Sequence, residues 1–379
     1  MEYIKLCEVI SSAKTERCGA SDYPVLSITK SDGVVLQSDK FKKRIASTDT
    51  EQYKLVKRGQ LVQGIHIDEA NFGIQSIVDI GIVSPAYKIW NVNFQKIVPK
   101  YLETVLRSPR SVRYYSLKFN GSVKRRERIT DSDFLAMEIP FPSKEQQQYA
   151  VDVLEKACSM TTLYQQQLQK LDELVKARFV ELFGDPISNP KGWKKDKAES
   201  HIDLLSGYPF QSEQYVNDGI NICGGLIIMP QKIQWQDCRH WPSVDGYEDY
   251  LLAEDDIVMA LDRPWISEGF KIAQVDSTHL PALLIQRTAR IRGIDVNQQY
   301  LFHCFVNGGF DKHSNVTGSL VPHISAKDIR SFEILLPPIK LQKQFAAFVK
   351  QVDKSKVAIQ KALDEAQLLF DSLMQKYFG

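Results

Sequence analysis

The sequence has no C-x-x-C pair, no phosphate loop and no long apolar run, and each absence removes a class of function. Its six cysteines (Cys7, Cys18, Cys158, Cys223, Cys238 and Cys304) are scattered through 379 residues, as reduced thiols are, rather than grouped as in a disulfide frame or zinc site. The seven histidines show no H-E-x-x-H or other paired spacing, so no metal is expected. Without G-x-x-x-x-G-K-[ST], ATP hydrolysis is not expected, and no glycine-rich strand-to-helix turn offers a dinucleotide or S-adenosylmethionine site. The stretch Asn189-Pro190-Lys191-Gly192-Trp193 lies near the Asn-Pro-Pro-aromatic pattern of amino-methyltransferases. Lys191 and Gly192 stand where a proline and the stacking ring are needed, so it reads as a turn. His303 and Cys304 adjoin in an apolar run but face different sides of any helix. No catalytic residue and no cofactor is therefore assigned. No segment approaches the roughly 18 apolar residues of a membrane span, and the first residues lack the apolar core of a signal peptide. A cytoplasmic protein with no membrane partner is expected. Lys and Arg exceed Asp and Glu by only two, 48 against 46. A nucleic-acid partner would have to be held by local patches, because the whole surface carries almost no net field.

What the sequence does have is a repeat. Ile129-Thr-Asp-Ser-Asp133 through Ile139 lies over Ile324 through Ile334 at an offset of 195, with Ile129, Asp133, Glu138 and Ile139 matching Ile324, Asp328, Glu333 and Ile334. Upstream, Asn120-Gly-Ser-Val answers Thr317-Gly-Ser-Leu, and residues 53–62 faintly answer 250–259. Downstream, the stretch from Pro142 answers that from Pro338, and both polar helices that follow finish on Phe-Gly, at 183–184 and 378–379. The chain is two copies of one plan, so missing the repeat would misread the whole fold. The expected boundaries are 1–141 and 185–337 for two mixed domains, and 142–184 and 338–379 for two long helices.

The second helix carries Phe345, Phe348, Val352, Ser355, Ile359, Ala362, Ala366, Leu369 and Leu373 at alternating spacings of three and four, the seam of a coiled coil. The first offers Tyr149, Val153, Ala157, Met160, Tyr164, Leu168 and Leu171, continued less cleanly by Leu174, Arg178 and Leu182. A narrow seam suits another long helix better than a flat domain surface, which favours a wider stripe. The two helices, each about 60 Å long at 1.5 Å per residue, are therefore expected to pair antiparallel and to hold the two domains apart. Within the domains, short β-branched runs at 59–67, 81–90, 255–261 and 282–293 read as strands, and 101–115 and 298–307 as helices. The class is α+β.

Basic residues cluster in one place. Residues 107–128 hold Arg107, Arg110, Arg113, Lys118, Lys124, Arg125, Arg126 and Arg128 against one acid, Glu127, with Tyr114, Tyr115 and Phe119 interleaved. Arg and Lys neutralise phosphates, Arg reaches guanine edges bidentately, and Asn120 and Ser122 beside Gly121 offer short polar contacts. The second copy is less basic at that place, with Ser319, His323 and Lys327. Its other candidates are Arg263, Trp265 and Lys271, after an apolar strand, with Arg287 and Arg290 nearby by strand alternation. Divergent tips on a repeated frame suit two domains that read different short sequences.

Taken together, the duplication, the Pro-x-x-x-Gln helix entries (Pro142, Gln146, Gln147; Pro338, Gln342), the bridge 171–193, the run 81–90 and the repeated strand exits resemble the specificity subunit of type I restriction-modification systems. The first copy lacks a counterpart of Gly192-Trp193 before its opening strand. The resemblance implies two target recognition domains, each reading one half of a split double-stranded DNA site. It also implies helices that set the spacer and dock two modification (methyltransferase) subunits, with ATP-dependent restriction subunits joining where that arm exists. Methylation and restriction would then belong to partner chains. Two alternatives share the same features: a specificity subunit of a type IIB-like fused restriction-methyltransferase, and a coiled-coil scaffold that never touches DNA.

Overall fold

The computed structural model describes residues 2–30, 32–40, 50–118, 129–314 and 322–379. It divides into two compact units, one of residues 1–165 with 361–379, the other of residues 166–360. Unit 1 is made of two separate stretches and unit 2 of one, and each takes in part of both long helices.

Unit 1 opens with the strand Tyr3–Lys5, paired antiparallel with Glu138–Pro140. A four-stranded sheet follows in the spatial order Ile10–Ser12, Lys88–Val92, Leu61–Gln63, Phe72–Ile74. Unit 2 repeats both features. Lys195–Lys197 pairs with Glu333–Leu335 in the same register, Lys197 opposite Glu333 as Lys5 is opposite Glu138. Its four-stranded sheet runs Ile202–Ser206, Thr288–Gly293, Ile257–Ala260, Ile272–Gln274. Unit 2 adds a sheet of its own in which Ile220–Cys223 runs parallel to Ala282–Leu284 and antiparallel to Arg239–Trp241. The expected α+β class is what is found, and the apolar runs read as strands contain strands.

The stretch expected to hold one helix holds two, Pro99–Arg107 and Pro109–Lys118. Pro109 breaks them, since it forces Ser108 into extended backbone and removes an amide donor. Each copy then sends out a helix of 40 residues, Lys144–Phe183 and Ile339–Phe378. In unit 1 the start of the first and the end of the second lie in one core, which joins Ala150, Val151 and Leu154 to Phe378 and the domain residues Tyr101, Phe134 and Trp90. In unit 2 the end of the first and the start of the second do the same, joining Val175, Phe179 and Phe183 to Phe345, Val349 and Val352. The pairing is antiparallel, and Lys356 to Asp172 at 2.6 Å ties the two helices in unit 2.

The seam of the second helix was legible, with Phe345, Val352 and Ala366 buried, although Ser355 and Leu369 are exposed. The expected seam of the first holds in part, with Ala157 buried and Val153, Tyr164, Leu168, Leu171 and Leu182 half-buried, and differs at other positions. Tyr149, Met160 and Leu174 lie exposed, while Gln147, Ala150, Val151, Leu154, Val175, Phe179 and Phe183 turn inward. A helix end that packs on its partner helix and on a domain at once buries the wider stripe at i, i+3, i+4 and i+7, not the strict coiled-coil seam.

Two buried glutamines explain the helix entries. Gln147 accepts from the Val98 amide at 2.9 Å and donates to the Pro142 carbonyl at 2.9 Å. Gln342 accepts from Asn297 at 2.8 Å and donates to Pro337 at 2.8 Å. Each satisfies a backbone amide at the start of the domain helix beside it, where no intrahelical partner exists. The equivalence places Gln147 on Gln342 and Pro142 on Pro337, a one-residue shift from the match of Pro142 with Pro338.

Candidate nucleic-acid interface

In unit 1 the basic stretch divides by burial. Arg107 is half-buried and donates to the Phe72 carbonyl, and desolvation pushes its pKa below the usual arginine value. Arg110 sits over the Tyr3 ring, 4.4 Å from its centre, and bonds the Tyr3 hydroxyl at 2.7 Å. The interleaved tyrosines are not stacking platforms. Tyr115 is fully buried with its hydroxyl on the Leu106 carbonyl at 3.0 Å, and Tyr114 bonds the Asp133 carbonyl at 2.9 Å. These residues hold the helix Pro109–Lys118 against the domain and leave Arg113 and Lys118 on its exposed side. Lys118 reaches Asp133 at 3.9 Å. Asn120, Ser122, Lys124, Arg125, Arg126 and Arg128, with Phe119, lie outside the described residues, as does Ser319 in the second copy.

Unit 2 brings several candidates together at one corner of its sheet. The central strand Ile257–Ala260 leaves the sheet into Leu261-Asp262-Arg263-Pro264, and Arg263 takes a left-handed φ of 45°. Its amide bonds the Pro322 carbonyl at 2.8 Å, which draws the segment from Pro322 onto the strand exit. Asp262 is the centre. One carboxylate oxygen takes the His323 Nδ1 hydrogen at 2.6 Å, and the other meets an Arg287 guanidinium nitrogen at 3.1 Å. Arg287 itself has a φ of 63° at the turn into the strand Thr288–Gly293. A non-glycine residue held there costs on the order of 1 kcal/mol and is commoner at working surfaces. Two such arginines meet at this corner.

Other candidates have structural places. Lys271 is only 6% exposed, with its ammonium on the Gly225 carbonyl. Burial first, and Arg263 second, lower its pKa, and with its ammonium held on a backbone carbonyl it supports the corner from beneath. Trp265 stacks on Phe270 at 4.9 Å and packs against the core with part of its ring open. Arg290 is 7% exposed and binds Asp203 at 2.7 Å, a tie between strands and not a contact surface. His303 and Cys304 are both buried, which pulls the imidazole down to about 3 and pushes the thiol up to about 12, so the pair has no reactive state near neutrality. Among the described residues no group of three or more His, Cys, Asp or Glu is placed to hold a metal, and no helix is long and apolar enough to cross a membrane.

Sequence reasoning missed Asp262 because the search was for basic residues. The available signal was local: an acid directly after a buried strand, followed by Arg-Pro, within a stretch already singled out.

Residues 243–367 match the family model described as a type I restriction modification DNA specificity domain. The specificity subunit of the type I restriction enzyme EcoAI of Escherichia coli is 32% identical over 178 residues, 45% of this chain and 29% of that protein. The MjaVIII specificity subunit of Methanocaldococcus jannaschii is 25% identical over 281 residues, 66% of each. The chain thus spans less than two thirds of the length of these relatives. A solved structure described as the basis of complex assembly and conformational transition of the type I R-M system superposes with a TM-score of 0.59 at 17% identity, covering 100% of this chain and 97% of that one. The type I restriction-modification S subunit from M. genitalium superposes at 0.55 and 13% identity, covering 100% and 96%. Over residues 243–367 by family model, and over the matched segments of these relatives, the chain is thus similar to the specificity subunits of type I restriction-modification systems, and it shares the fold of the two solved structures.

Proposed function

We propose that this chain is the non-catalytic DNA-reading subunit of a restriction-modification complex, each recognition domain reading one half of a split double-stranded site. The observation that carries this reading is the duplicated frame with unlike corners: the same sheet order and helix anchors hold a Lys- and Arg-rich stretch in one copy and the Asp262 corner in the other. The DNA-facing residues are Arg113, Lys118, Asn120, Ser122, Lys124, Arg125, Arg126 and Arg128 in the first copy. In the second they are Arg263, Trp265, Arg287, Ser319 and His323, with Lys271 as a buried support. Methylation falls to two modification subunits docked on the helices, whose exposed Tyr149, Met160, Leu174 and Val357 offer apolar contacts, and cleavage to ATP-dependent restriction subunits where they are present. The complex works in the cytoplasm, where its DNA is.

Helix length sets the gap between half-sites. Inserting one heptad at the same level in both helices, near residues 165 and 360, should change the spacer and leave the half-site letters alone. An altered base preference with an unchanged spacer would overturn this role. Charge reversal at Lys124, Arg125 and Arg126 separates DNA reading from scaffolding. Loss of DNA binding, with the log-log salt slope shallower by up to about 0.9 per lost phosphate contact, supports the first, and an unchanged slope the second.

A further inference from the structure

The corner of unit 2 has an acid at its centre, which an electrostatic phosphate site would avoid. Asp262 lies half-buried, its side chain 26% exposed, between two cationic or polar groups that face outward: Arg287 with its side chain 74% exposed and His323 at 44%. A carboxylate that only attracted phosphate-binding cations would weaken them, because it cancels part of their charge. What it adds is orientation. The ion pair of one Arg287 nitrogen with Asp262 at 3.1 Å biases where the guanidinium lies and leaves its remaining N–H groups, all in one plane, for bidentate recognition of a planar edge. An imidazole whose Nδ1 hydrogen points at a carboxylate has its tautomer fixed, so in the neutral ring Nε2 is left as an acceptor. The corner therefore shows a donor fork and an acceptor side by side. The Arg263 amide bond to Pro322 and the left-handed turns at Arg263 and Arg287 hold the backbone that carries them.

Resting on the reading that this domain binds DNA, we infer that Asp262 is the specificity-positioning residue of the second half-site. It aims Arg287 at the O6 and N7 acceptors of a guanine in the major groove, and through His323 presents an acceptor to the exocyclic amine of a neighbouring adenine or cytosine. In the major groove these donor and acceptor patterns distinguish the base pairs, and a good bidentate pair discriminates by about 1–3 kcal/mol, roughly 5- to 150-fold. Asp262 acts through its two neighbours and touches no base itself.

The test uses the full chain assembled with its modification subunits, presented with a library of duplexes randomised across the site, comparing wild type with Asp262→Asn and Arg287→Lys. Asparagine keeps the shape and loses the charge; lysine keeps the charge and loses the fork. Both should lower discrimination at one guanine position of the second half-site by about 5- to 150-fold, and leave every position of the first half-site unchanged as an internal control. Asp262→Asn should also relax the adjacent position read by His323, while Arg287→Lys should leave that position alone. The salt slope of Asp262→Asn should match wild type, since no phosphate contact is removed. If the wild type enriches a split motif and both variants enrich the same motif with equal stringency, the positioning role is wrong. A wild type that enriches no motif overturns the DNA-reading function itself, and the positioning role with it.

Discussion

The two copies agree where they hold a helix and differ at the corners that follow their central strands. Phe378 packs on Tyr101 at 5.1 Å in one unit, and Phe183 on Tyr300 at 4.6 Å in the other. The hydroxyls of those tyrosines bond the strand carbonyls of Pro140 and Leu335, at 3.1 and 2.9 Å. The paired Phe-Gly endings thereby find their reason: each helix closes the core of the unit that holds the other copy's domain. After their central strands, by contrast, the first copy writes Gly64-Ile65-His66 and the second Leu261-Asp262-Arg263. In unit 1 Lys88 pairs with Asp131, and in unit 2 Asp262 gathers Arg287 and His323. Packing of the frame tolerates few substitutions, whereas a loop at a sheet corner can change its chemistry without disturbing the core.

The comparison breaks most visibly at the aromatic anchors. Phe183→Ala and Phe378→Ala each remove a fully buried ring and should each cost about 3–5 kcal/mol in urea unfolding. Near-equal losses mark a shared frame, and a loss confined to one would show that the endings are alike only in sequence.

Next in size is a difference between the copies. His303 is buried in unit 2 against Phe179 and Phe345, and its counterpart on the equivalent helix is the half-buried Thr104. Burial, aided by Lys356, lowers its pKa from 6.5 to about 3. The unfolded chain takes up this proton near its ordinary value and the folded chain only far below it. Its contribution is therefore fully present above about pH 6.5 and is lost as the pH falls, by about 1.4 kcal/mol per unit between there and about 3. His303→Phe should remove that part of the acid dependence, measured as unfolding free energy against pH, and an unchanged profile would contradict the assignment.

Smaller losses are expected at the glutamines. Gln147→Leu and Gln342→Leu each strand an amide at a helix start, the Val98 and Asn297 donors, at about 1–3 kcal/mol. Similar values in both copies would again mark the frame. Arg113→Ala should be the mildest, with stability within about 0.5 kcal/mol of wild type and a DNA-binding salt slope shallower by about 0.9; a change in base preference instead would make Arg113 a reader of sequence.

Much of the frame was legible because periodicity and repetition are carried by many residues at once. The strands at 61–63 and 257–260, the helix 298–307 and both long helices all stand where the patterns put them. The seam of the first long helix was legible in its middle, at Ala157, Leu168 and Leu171, and not at its ends, where burial is decided by domain surfaces distant in sequence. The site was legible in part. Residue type alone could not tell Arg113, exposed, from Arg107, half-buried on a carbonyl, or Arg287, facing out, from Arg290, tied to Asp203. Nor could it show that Lys271 is enclosed, because each of these depends on which way a side chain leaves its helix or sheet.

The most direct test of the central claim is single-molecule methylation mapping of DNA from cells that express this chain with its modification subunit. The account predicts modified adenines in two short halves separated by a fixed gap. A contiguous motif, or no methylation from a soluble complex, would contradict it.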